Sequence, residues 1–230
     1  MDCPICVTPS TRKRHGTPYH VCDGCGLWFQ SPTPPKVLHG EHEVWIGLEM
    51  PEQEKAANKS LASWLFEKAL RGKPGPTLDI GASYPILAHY LEELGCVATA
   101  IDPDEEILKD HGLRVLCWRM DFETQTPPLS EYPYRLVSFV HSFEHIYDPL
   151  AAFHRLRHLI ADDGALFIRM PDNQVEGYER DLTPGHFTIH PYFHALSSIA
   201  QICAQTNTFF IEQSYELKPG QRDMILRPIS

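Results

Sequence analysis

Four cysteines near the N-terminus are the residues whose types and spacing most clearly indicate chemistry. Cys3 and Cys6 form one C-x-x-C pair, Cys22 and Cys25 form a second, and fifteen residues separate the two pairs. This spacing is typical of a four-thiolate zinc site, in which each pair contributes two sulfurs from a tight turn. Such a site has no open coordination position, so we expect the metal to stabilise the fold and not to take part in catalysis.

Two alternatives to this zinc site stay open at the level of the sequence. His15 or His20 could replace one of the sulfurs, or the four cysteines could be free thiols in a loop. The other cysteines, Cys96, Cys117 and Cys203, are interpreted as small buried apolar residues. Because seven is an odd number of cysteines and no signal peptide is recognisable, we expect a cytoplasmic protein without a disulfide framework.

A second set of side chains follows short apolar segments, at positions where the strands of a sheet would end. Gly81, Asp102 and the pair Asp121-Phe122 each follow such a segment, and residues 141–145 follow another. A glycine lets a ligand approach the backbone, and a carboxylate can accept hydrogen bonds from both hydroxyls of a ribose. An acid followed by an aromatic ring is suited to bind and stack a purine. These residues predict a nucleoside-binding site.

The segments between these residues predict alternating helices and strands. Predicted helices cover Glu52–Arg71, Ile86–Leu94, Pro103–His111 and Pro149–Ile160, and predicted strands cover Leu78–Gly81, Val97–Ile101, Leu113–Cys117, Tyr134–Val140 and Ala165–Met170. This alternation predicts an α/β fold with a parallel sheet that is covered on both faces. In such a sheet ligands bind beyond the carboxyl ends of the strands, where the second set of side chains stands.

A proline-rich connector divides the chain. Residues 31–35 read Ser-Pro-Thr-Pro-Pro, an extended segment that we interpret as a domain boundary. We therefore predict a zinc ribbon over residues 1–35, a linker and an N-terminal helix over residues 36–76, and the ligand-binding domain over residues 77–230. A segment of about 30 residues buries too little apolar surface to fold alone, and zinc would supply the missing stability.

Composition and charge exclude several classes of protein. The 230 residues are 43% hydrophobic and 22% charged, which excludes a disordered chain, and no apolar stretch is long enough for a membrane helix. The net charge is −10, although residues 1–36 contain four basic and two acidic side chains. An acidic body repels phosphate backbones, so nucleic acid is disfavoured as a partner and a small-molecule substrate is favoured.

On these motifs the chain resembles class I S-adenosylmethionine-dependent methyltransferases, in particular small-molecule and sugar methyltransferases with an N-terminal zinc ribbon. The resemblance covers nearly the whole chain and is most specific at Cys22–Pro32 (CDGCGLWFQSP), Leu78–Gly81 (LDIG) and Phe143–Pro171. It implies a Rossmann-like seven-stranded sheet preceded by a small zinc ribbon, with S-adenosylmethionine bound by residues 77–230.

The resemblance also implies roles for single residues. By position, it assigns cofactor binding to Asp79, Gly81, Asp102 and Asp121, and it places Glu144 and His145 at the reactive end of the cofactor. Further candidate cofactor contacts are Ala82, Tyr84, Phe122 and His141.

The cofactor loop departs from the family pattern. Where the family usually has further glycines, this chain has Ala82-Ser83-Tyr84-Pro85. We expect Pro85 in the first turn of a helix, Ser83 or Tyr84 as its cap, and Tyr84 over the methionine end of the cofactor. The absence of a G-x-G-x-x-G motif argues against a dehydrogenase.

Histidines are the candidate catalytic groups. Methyl transfer to a hydroxyl or a carbon acid requires alignment and removal of a proton, for which an imidazole is suited near neutral pH. His145 is the first candidate base, oriented by Glu144 or with Glu144 binding the acceptor, and His186 and His190 are the second candidates. Sugar C-methyltransferases of this type tend to have a tyrosine two residues before the glutamate. This chain has Ser142 there, so O- and C-methylation both stay open.

Histidines 186, 190 and 194 have a spacing that superficially suggests a metal-binding helix face. Pro184, Gly185 and Pro191 argue against one continuous helix through them, so we expect no second metal site.

Structural alternatives accompany the candidate site residues. Asp102 could cap a helix after Pro103, Asp79 could be a buried structural acid, and Phe122 could belong to the core. Glu144 and His145 could cap the helix that begins at Pro149.

Two further functions stay open beside methyl transfer to a small polar molecule. One is an RNA methyltransferase that docks RNA through the ribbon, supported by Arg12-Lys13-Arg14. The other is a degenerate methyltransferase domain that acts as a binding module, which the missing loop glycines suggest.

Overall fold

The computed structural model describes residues 1–9, 12–36, 51–103, 113, 115–127, 133–174, 182, 184–218 and 220–229. Strands in this part of the chain are β1 Arg12–Lys13, β2 Tyr19–Val21, β3 Trp28–Gln30, β4 Pro76–Ile80, β5 Val97–Asp102, β6 Leu116–Arg119, β7 Tyr134–Val140, β8 Ile160–Pro171, β9 Tyr192–Phe193, β10 Phe209–Lys218 and β11 Gln221–Pro228. Helices are α1 Glu52–Lys68, α2 Ile86–Glu93, α3 Pro149–Leu159, α4 Pro184–Ile189 and α5 Leu196–Thr206, with a 3₁₀ turn at Phe143–His145.

Seven strands form the central sheet in the order β10-β11-β8-β7-β4-β5-β6. The five strands from β8 to β6 pair in parallel, and β11 lies antiparallel to both β8 and β10. The predicted seven-stranded methyltransferase sheet is therefore confirmed. Its strand order reverses beside β4, so a ligand is expected beyond the carboxyl ends of β4, β5 and β7.

Helices cover both faces of this sheet, and the alternation along β8 shows which residues face which helices. Ala165 and Phe167 pack in a cluster with apolar residues of α1 and α2, whereas Leu166 and Ile168 pack in a cluster with residues of α3 and α5. Within the described residues, no helix combines the length and the apolar character needed to cross a bilayer.

Most predicted elements are present, with differences at their ends, such as β8, which begins at Ile160 and not at Ala165. The strand at Tyr134–Val140 is confirmed residue for residue. The third predicted strand is displaced, because β6 begins at Leu116 and not at Leu113. This strand lies at an edge of the sheet with Leu116 and Trp118 exposed, so apolar burial specifies its register weakly. The helix predicted over Pro103–His111 lies, beyond its first residue, outside the described residues.

A smaller antiparallel sheet contains the N-terminal strands and one strand from far along the chain. Its order is β1-β2-β3-β9, and β3 pairs with β9 through Trp28 opposite Phe193 and Phe29 opposite Tyr192. Ile5 and Phe29 also belong to the cluster of buried residues that contains the core of the central sheet. The N-terminal segment is thus joined to the α/β domain by backbone pairing and by a shared core.

Candidate functional site

The four N-terminal cysteines converge on one point. The Sγ atoms of Cys3 and Cys25 are 3.7 Å apart, those of Cys6 and Cys22 are 3.3 Å apart, and all four lie within 4.8 Å of one another. Four sulfurs that each lie about 2.3 Å from a central Zn²⁺ would be roughly 3.8 Å apart in a tetrahedron. The cluster therefore fits zinc with four thiolates, and a histidine is not needed as a ligand.

Two tight turns present these sulfurs. A Cβ atom on Gly24 would lie 2.7 Å from Thr8 Oγ1 and 3.4 Å from Cys6 Sγ, so the two turns face each other too closely for a larger residue. The hydrogen bond from the Cys25 thiol lowers the pKa of Cys3 to about 5. A thiolate is the form of cysteine that binds a metal.

The loop after β4 folds back over the end of β5. Gly81 has a φ of +68°, and a Cβ atom there would lie 2.5 Å from the Cβ of Ser142. The backbone N–H groups of Gly81 and Ala82 donate to the Ile101 carbonyl at 2.9 and 3.1 Å. Glycine is thus required by conformation and by close packing, besides any role in binding a ligand.

Asp102, the last residue of β5, faces this loop. Its side chain is buried, and its Oδ2 accepts a hydrogen bond from the backbone N–H of Ser83 at 2.9 Å. A carboxylate has about four lone-pair sites and can therefore accept more than one hydrogen bond. We call Gly81, Ala82, Ser83 and Asp102 the cofactor edge. The alternative that Asp102 caps a helix concerns residues 104–112, which lie outside the described residues.

Asp79 lies buried beneath the cofactor edge. Its Oδ1 accepts a hydrogen bond from the Ser138 hydroxyl at 2.6 Å. Burial, together with the nearby charge of Asp102, raises the pKa of Asp79 to about 7. This environment suits a structural acid, and its contact with a cofactor stays a prediction.

Asp121 is held in an ion pair that the sequence did not predict. Lys36 Nζ lies 2.8 Å from Asp121 Oδ1 and 2.7 Å from Glu123 Oε2, and the Thr124 hydroxyl donates to Asp121 Oδ2 at 2.8 Å. Burial alone would raise the pKa of Asp121, but these partners outweigh it and lower the pKa. To bind an adenine amino group, this carboxylate would have to release the Lys36 ammonium group.

Phe122 lies in the core. Its side chain is 4% exposed and packs edge-on against Phe139, with their ring centroids 5.8 Å apart. The guanidinium of Arg155 lies over the ring of Phe122. Stacking of Phe122 on a purine stays a prediction.

The start of α2 differs from the expected cap. Pro85 itself is the N-cap residue, and no side chain caps the helix, so the prediction that Ser83 or Tyr84 does so is wrong. The reason is local, since Ser83 adopts a left-handed conformation with φ of +48° and turns its N–H to Asp102. Ala82 packs beside the small residues of α2 and β5, and Tyr84 is half-buried.

A carboxylate and two imidazoles meet beyond the end of β7. Side-chain atoms of Glu144, His145 and His190 lie within 4.8 Å of one another, and the two imidazole centroids are 4.5 Å apart. We call these three residues the acceptor cluster. The 3₁₀ turn supplies two of them, and the segment that follows α4 supplies the third. The cluster adjoins the cofactor edge, because Ser142, which packs against Gly81, immediately precedes the 3₁₀ turn.

Glu144 is a buried anion. Its side chain is 3% exposed, and its Oε2 accepts no hydrogen bond from any residue that the structure describes. Burial would raise the pKa of Glu144, but His141, whose Nδ1 is 3.8 Å from Oε1, and the charges of His145 and His190 lower it to about 2. The carboxylate is therefore ionised at neutral pH.

The tautomer of His145 follows from its backbone partner. Its Nδ1 lies 3.2 Å from the Ile189 carbonyl oxygen, which can only accept a hydrogen bond. Nδ1 therefore carries the proton of the neutral ring, and the lone pair is on Nε2. This is the arrangement that a proton acceptor needs.

The helices beside the acceptor cluster decide two questions that the sequence raised: whether Glu144 and His145 cap α3, and whether histidines 186, 190 and 194 share a helix. Asp148 caps α3 by accepting from the Ala151 N–H at 2.9 Å, so the suggestion that Glu144 and His145 cap this helix is wrong. Histidines 186, 190 and 194 do not share a helix, as expected, because α4 ends at Ile189. His194 turns into the core, where burial lowers its pKa to about 4.

Comparison with known proteins identifies the family. A family of methyltransferase domains matches residues 52–211, which include the cofactor edge and the acceptor cluster. The chain is a class I methyltransferase. Members of this family use S-adenosylmethionine as methyl donor. No curated protein matches this methyltransferase.

Solved structures share the fold of this methyltransferase. A Pyrococcus horikoshii OT3 protein is 14% identical, with a TM-score of 0.63 over 82% of this chain and 97% of that chain. Magnesium protoporphyrin IX methyltransferase from Synechocystis PCC 6803 is 17% identical, with a TM-score of 0.58 over 84% and 91% of the two chains. The 1,6-didemethyltoxoflavin-N1-methyltransferase of Burkholderia thailandensis is 17% identical, with a TM-score of 0.58 over 78% and 81%. At these identities the likeness shows the fold alone.

Several residues that shape the site of this methyltransferase were missed by the sequence reasoning. Lys36 reaches Asp121 from 85 residues away, and Ser138 reaches Asp79 from 59 residues away. Tyr19 and Gln30 contact the backbone beside His190 from 171 and 160 residues away. Each contact joins distant segments, so no local pattern in the sequence signals it.

Proposed function

We propose that this methyltransferase transfers a methyl group from S-adenosylmethionine to a small hydroxylated molecule, by O-methylation or by C-methylation at a carbon acid. The observation that carries the proposal is the acceptor cluster, where a buried anion and two imidazoles stand next to the cofactor edge. A nucleotide-linked sugar or a natural-product intermediate has the chemistry of such an acceptor.

The cofactor edge supplies the groups that would bind S-adenosylmethionine. Gly81 has no side chain to block a ligand, and Asp102 can accept hydrogen bonds from the ribose hydroxyls. Asp121 would bind the adenine amino group after exchange with Lys36. When bound, the cofactor supplies an electrophilic methyl group on its sulfonium sulfur. The protein's contribution is to align the acceptor with that methyl group.

His145 acts as the base in this proposal. Its Nε2 lone pair would accept the proton of the acceptor hydroxyl or carbon acid as the bond from that oxygen or carbon to the methyl group forms. The methyl–sulfur bond would break in the same step and leave the neutral thioether S-adenosylhomocysteine. The resulting imidazolium is stabilised by the ionised carboxylate of Glu144 within the same cluster. His190 and His186 are the alternative bases, since the centroids of their rings are 5.5 Å apart and His190 adjoins His145.

Zinc has a structural role in this proposal. Cys3, Cys6, Cys22 and Cys25 would hold one Zn²⁺ ion in a closed site without a position for a substrate. The metal would stabilise the small sheet, whose own core is limited.

RNA is a weaker candidate for the acceptor. The basic residues that favour it lie in and beside β1, where Arg12 pairs with Asp23 at 3.2 Å and the Arg14 guanidinium lies 4.9 Å above the Trp28 ring. Both cations have partners within the N-terminal segment. The net charge of −10 also favours a small acceptor over a polynucleotide.

The experiment uses S-adenosylmethionine with an isotopically labelled methyl group. The protein is incubated with a panel of nucleotide sugars and phenolic or hydroxylated small molecules and, separately, with RNA, and products are identified by mass spectrometry. Label in a small molecule supports the proposal, and label in RNA replaces it with the RNA function. Cofactor binding without transfer to any acceptor favours a binding module.

A further inference from the structure

The end of α4 is held by two side chains of the small sheet. Pro191 follows this helix and has no N–H to offer to the Phe187 carbonyl, so that carbonyl needs another donor. The side-chain amide of Gln30 donates to the Phe187 carbonyl oxygen at 2.7 Å. The Tyr19 hydroxyl donates to the His190 carbonyl oxygen, also at 2.7 Å.

These two side chains form one buried unit. Tyr19 is 0% exposed and Gln30 is 9% exposed. The Gln30 amide also donates to the Tyr19 hydroxyl oxygen at 3.2 Å and to the His190 carbonyl at 3.1 Å. The Tyr19 ring packs edge-on against Phe187 and Phe193, with centroids 5.9 and 5.1 Å apart. Hydrogen bonds and ring packing together fix the end of α4 relative to β2 and β3.

The carbonyl that orients His145 lies between the two anchored carbonyls. Ile189 follows Phe187 and precedes His190, and its carbonyl accepts the hydrogen bond from His145 Nδ1 at 3.2 Å. A shift of this short segment would move that carbonyl away from Nδ1. The neutral imidazole could then carry its proton on Nε2, where it could no longer accept one from a substrate.

We propose that Tyr19 and Gln30 are positioning residues for methyl transfer: they fix the end of α4 so that the Ile189 carbonyl keeps the His145 lone pair on Nε2. This inference rests on the proposed role of His145 as the base. It also gives the small sheet a function in the reaction, although neither side chain touches the reacting atoms.

The test uses variants that remove the donors with little change in shape. Tyr19→Phe removes the hydroxyl, and Gln30→Glu replaces the amide donor by a carboxylate. Tyr134→Phe is the matched control, because Tyr134 is also buried but stands at the start of β7, away from the acceptor cluster. The ¹⁵N NMR shifts of the His145 ring report its tautomer directly and do not depend on turnover.

We expect the wild type and Tyr134→Phe to show a protonated Nδ1, and Tyr19→Phe and Gln30→Glu to show a mixture of tautomers. In both of these variants kcat should fall by about 10- to 100-fold, the scale of a misplaced catalytic group, with the Kd for S-adenosylhomocysteine unchanged. If Gln30→Glu does not fold, because its buried carboxylate faces the Phe187 and His190 carbonyl oxygens, Tyr19→Phe decides the test.

Two results would overturn the proposal. One is a wild-type tautomer and wild-type kcat in the folded variants. The other is a parallel loss of cofactor affinity and thermal stability, which would indicate a purely structural role. A change of tautomer in the variants, with no methyl transfer by the wild type to any acceptor, would support the positioning contact and reject the proposed function.

Discussion

The cofactor edge and the acceptor cluster of this methyltransferase are built in different ways. The cofactor edge uses backbone groups at the ends of two adjacent parallel strands, such as the Ser83 N–H that binds Asp102. The acceptor cluster combines a 3₁₀ turn with the end of α4, which in turn is held by Tyr19 and Gln30 of the small sheet. The first depends on the central sheet, and the second depends on three distant segments.

This difference implies that substitutions can impair cofactor binding and acceptor chemistry independently of each other. A change in the small sheet should impair acceptor chemistry and leave cofactor binding intact, whereas a change at the cofactor edge should do the reverse. Substitutions in each region test that separation.

Of the changes considered, loss of the metal should reduce methyl transfer the most. Wild-type protein should contain one zinc per chain, and Cys22→Ser should lose it, because three remaining thiolates make an incomplete site. The small sheet would then no longer hold α4, so methyl transfer should be abolished while S-adenosylhomocysteine still binds. Elemental analysis, activity and calorimetry check this, with Cys96→Ser as a control that removes a buried thiol elsewhere. Unchanged zinc content in Cys22→Ser would reject the metal site.

Loss of the base should cause the next largest fall in methyl transfer. His145→Ala should lower kcat by about 10²- to 10⁴-fold with little change in cofactor affinity, because only proton removal is lost. Steady-state kinetics measure this, and His154→Ala, an exposed histidine on α3, is the control. Native turnover in His145→Ala would move the role to His186 or His190. Native turnover in all three single variants would mean that alignment alone suffices.

The buried acid beneath the cofactor edge should make stability depend on pH. The pKa of Asp79 is raised from 3.8 to about 7 in the folded protein, so the unfolded chain releases this proton at a lower pH than the folded chain does. Its contribution to the free energy of unfolding is therefore fully present below pH 4 and is lost as the pH rises to 7, by up to about 4 kcal/mol.

Asp79→Asn should accordingly raise the melting temperature relative to wild type at pH 8 but not at pH 4. Thermal denaturation at both pH values measures this difference. Asp163→Asn, at an exposed acid, should show no such pH-dependent gain. Equal shifts for Asp79→Asn at both pH values would contradict the raised pKa.

The features that could be predicted from the sequence are those that local patterns of residues encode. The strand at Tyr134–Val140 is a mainly apolar segment, Gly81 directly follows β4 and Asp102 ends β5, so the sheet and the cofactor edge could be located. The paired C-x-x-C motifs likewise located the cysteine cluster. The sequence could not show that Lys36 holds Asp121 or that β9 completes the small sheet, because these contacts join segments more than 80 residues apart.

Calorimetric titration of S-adenosylhomocysteine into wild-type protein and Asp102→Ala tests the central claim most directly. We predict that the wild type binds and that Asp102→Ala binds more weakly by about 1.5 to 3 kcal/mol, roughly 10- to 150-fold in Kd, because the ribose hydroxyls lose a charged acceptor. Asp162→Ala, an exposed acid, and Tyr19→Phe should both bind like the wild type. Equal affinity of Asp102→Ala and the wild type, or no binding by the wild type at millimolar concentration, would contradict the account.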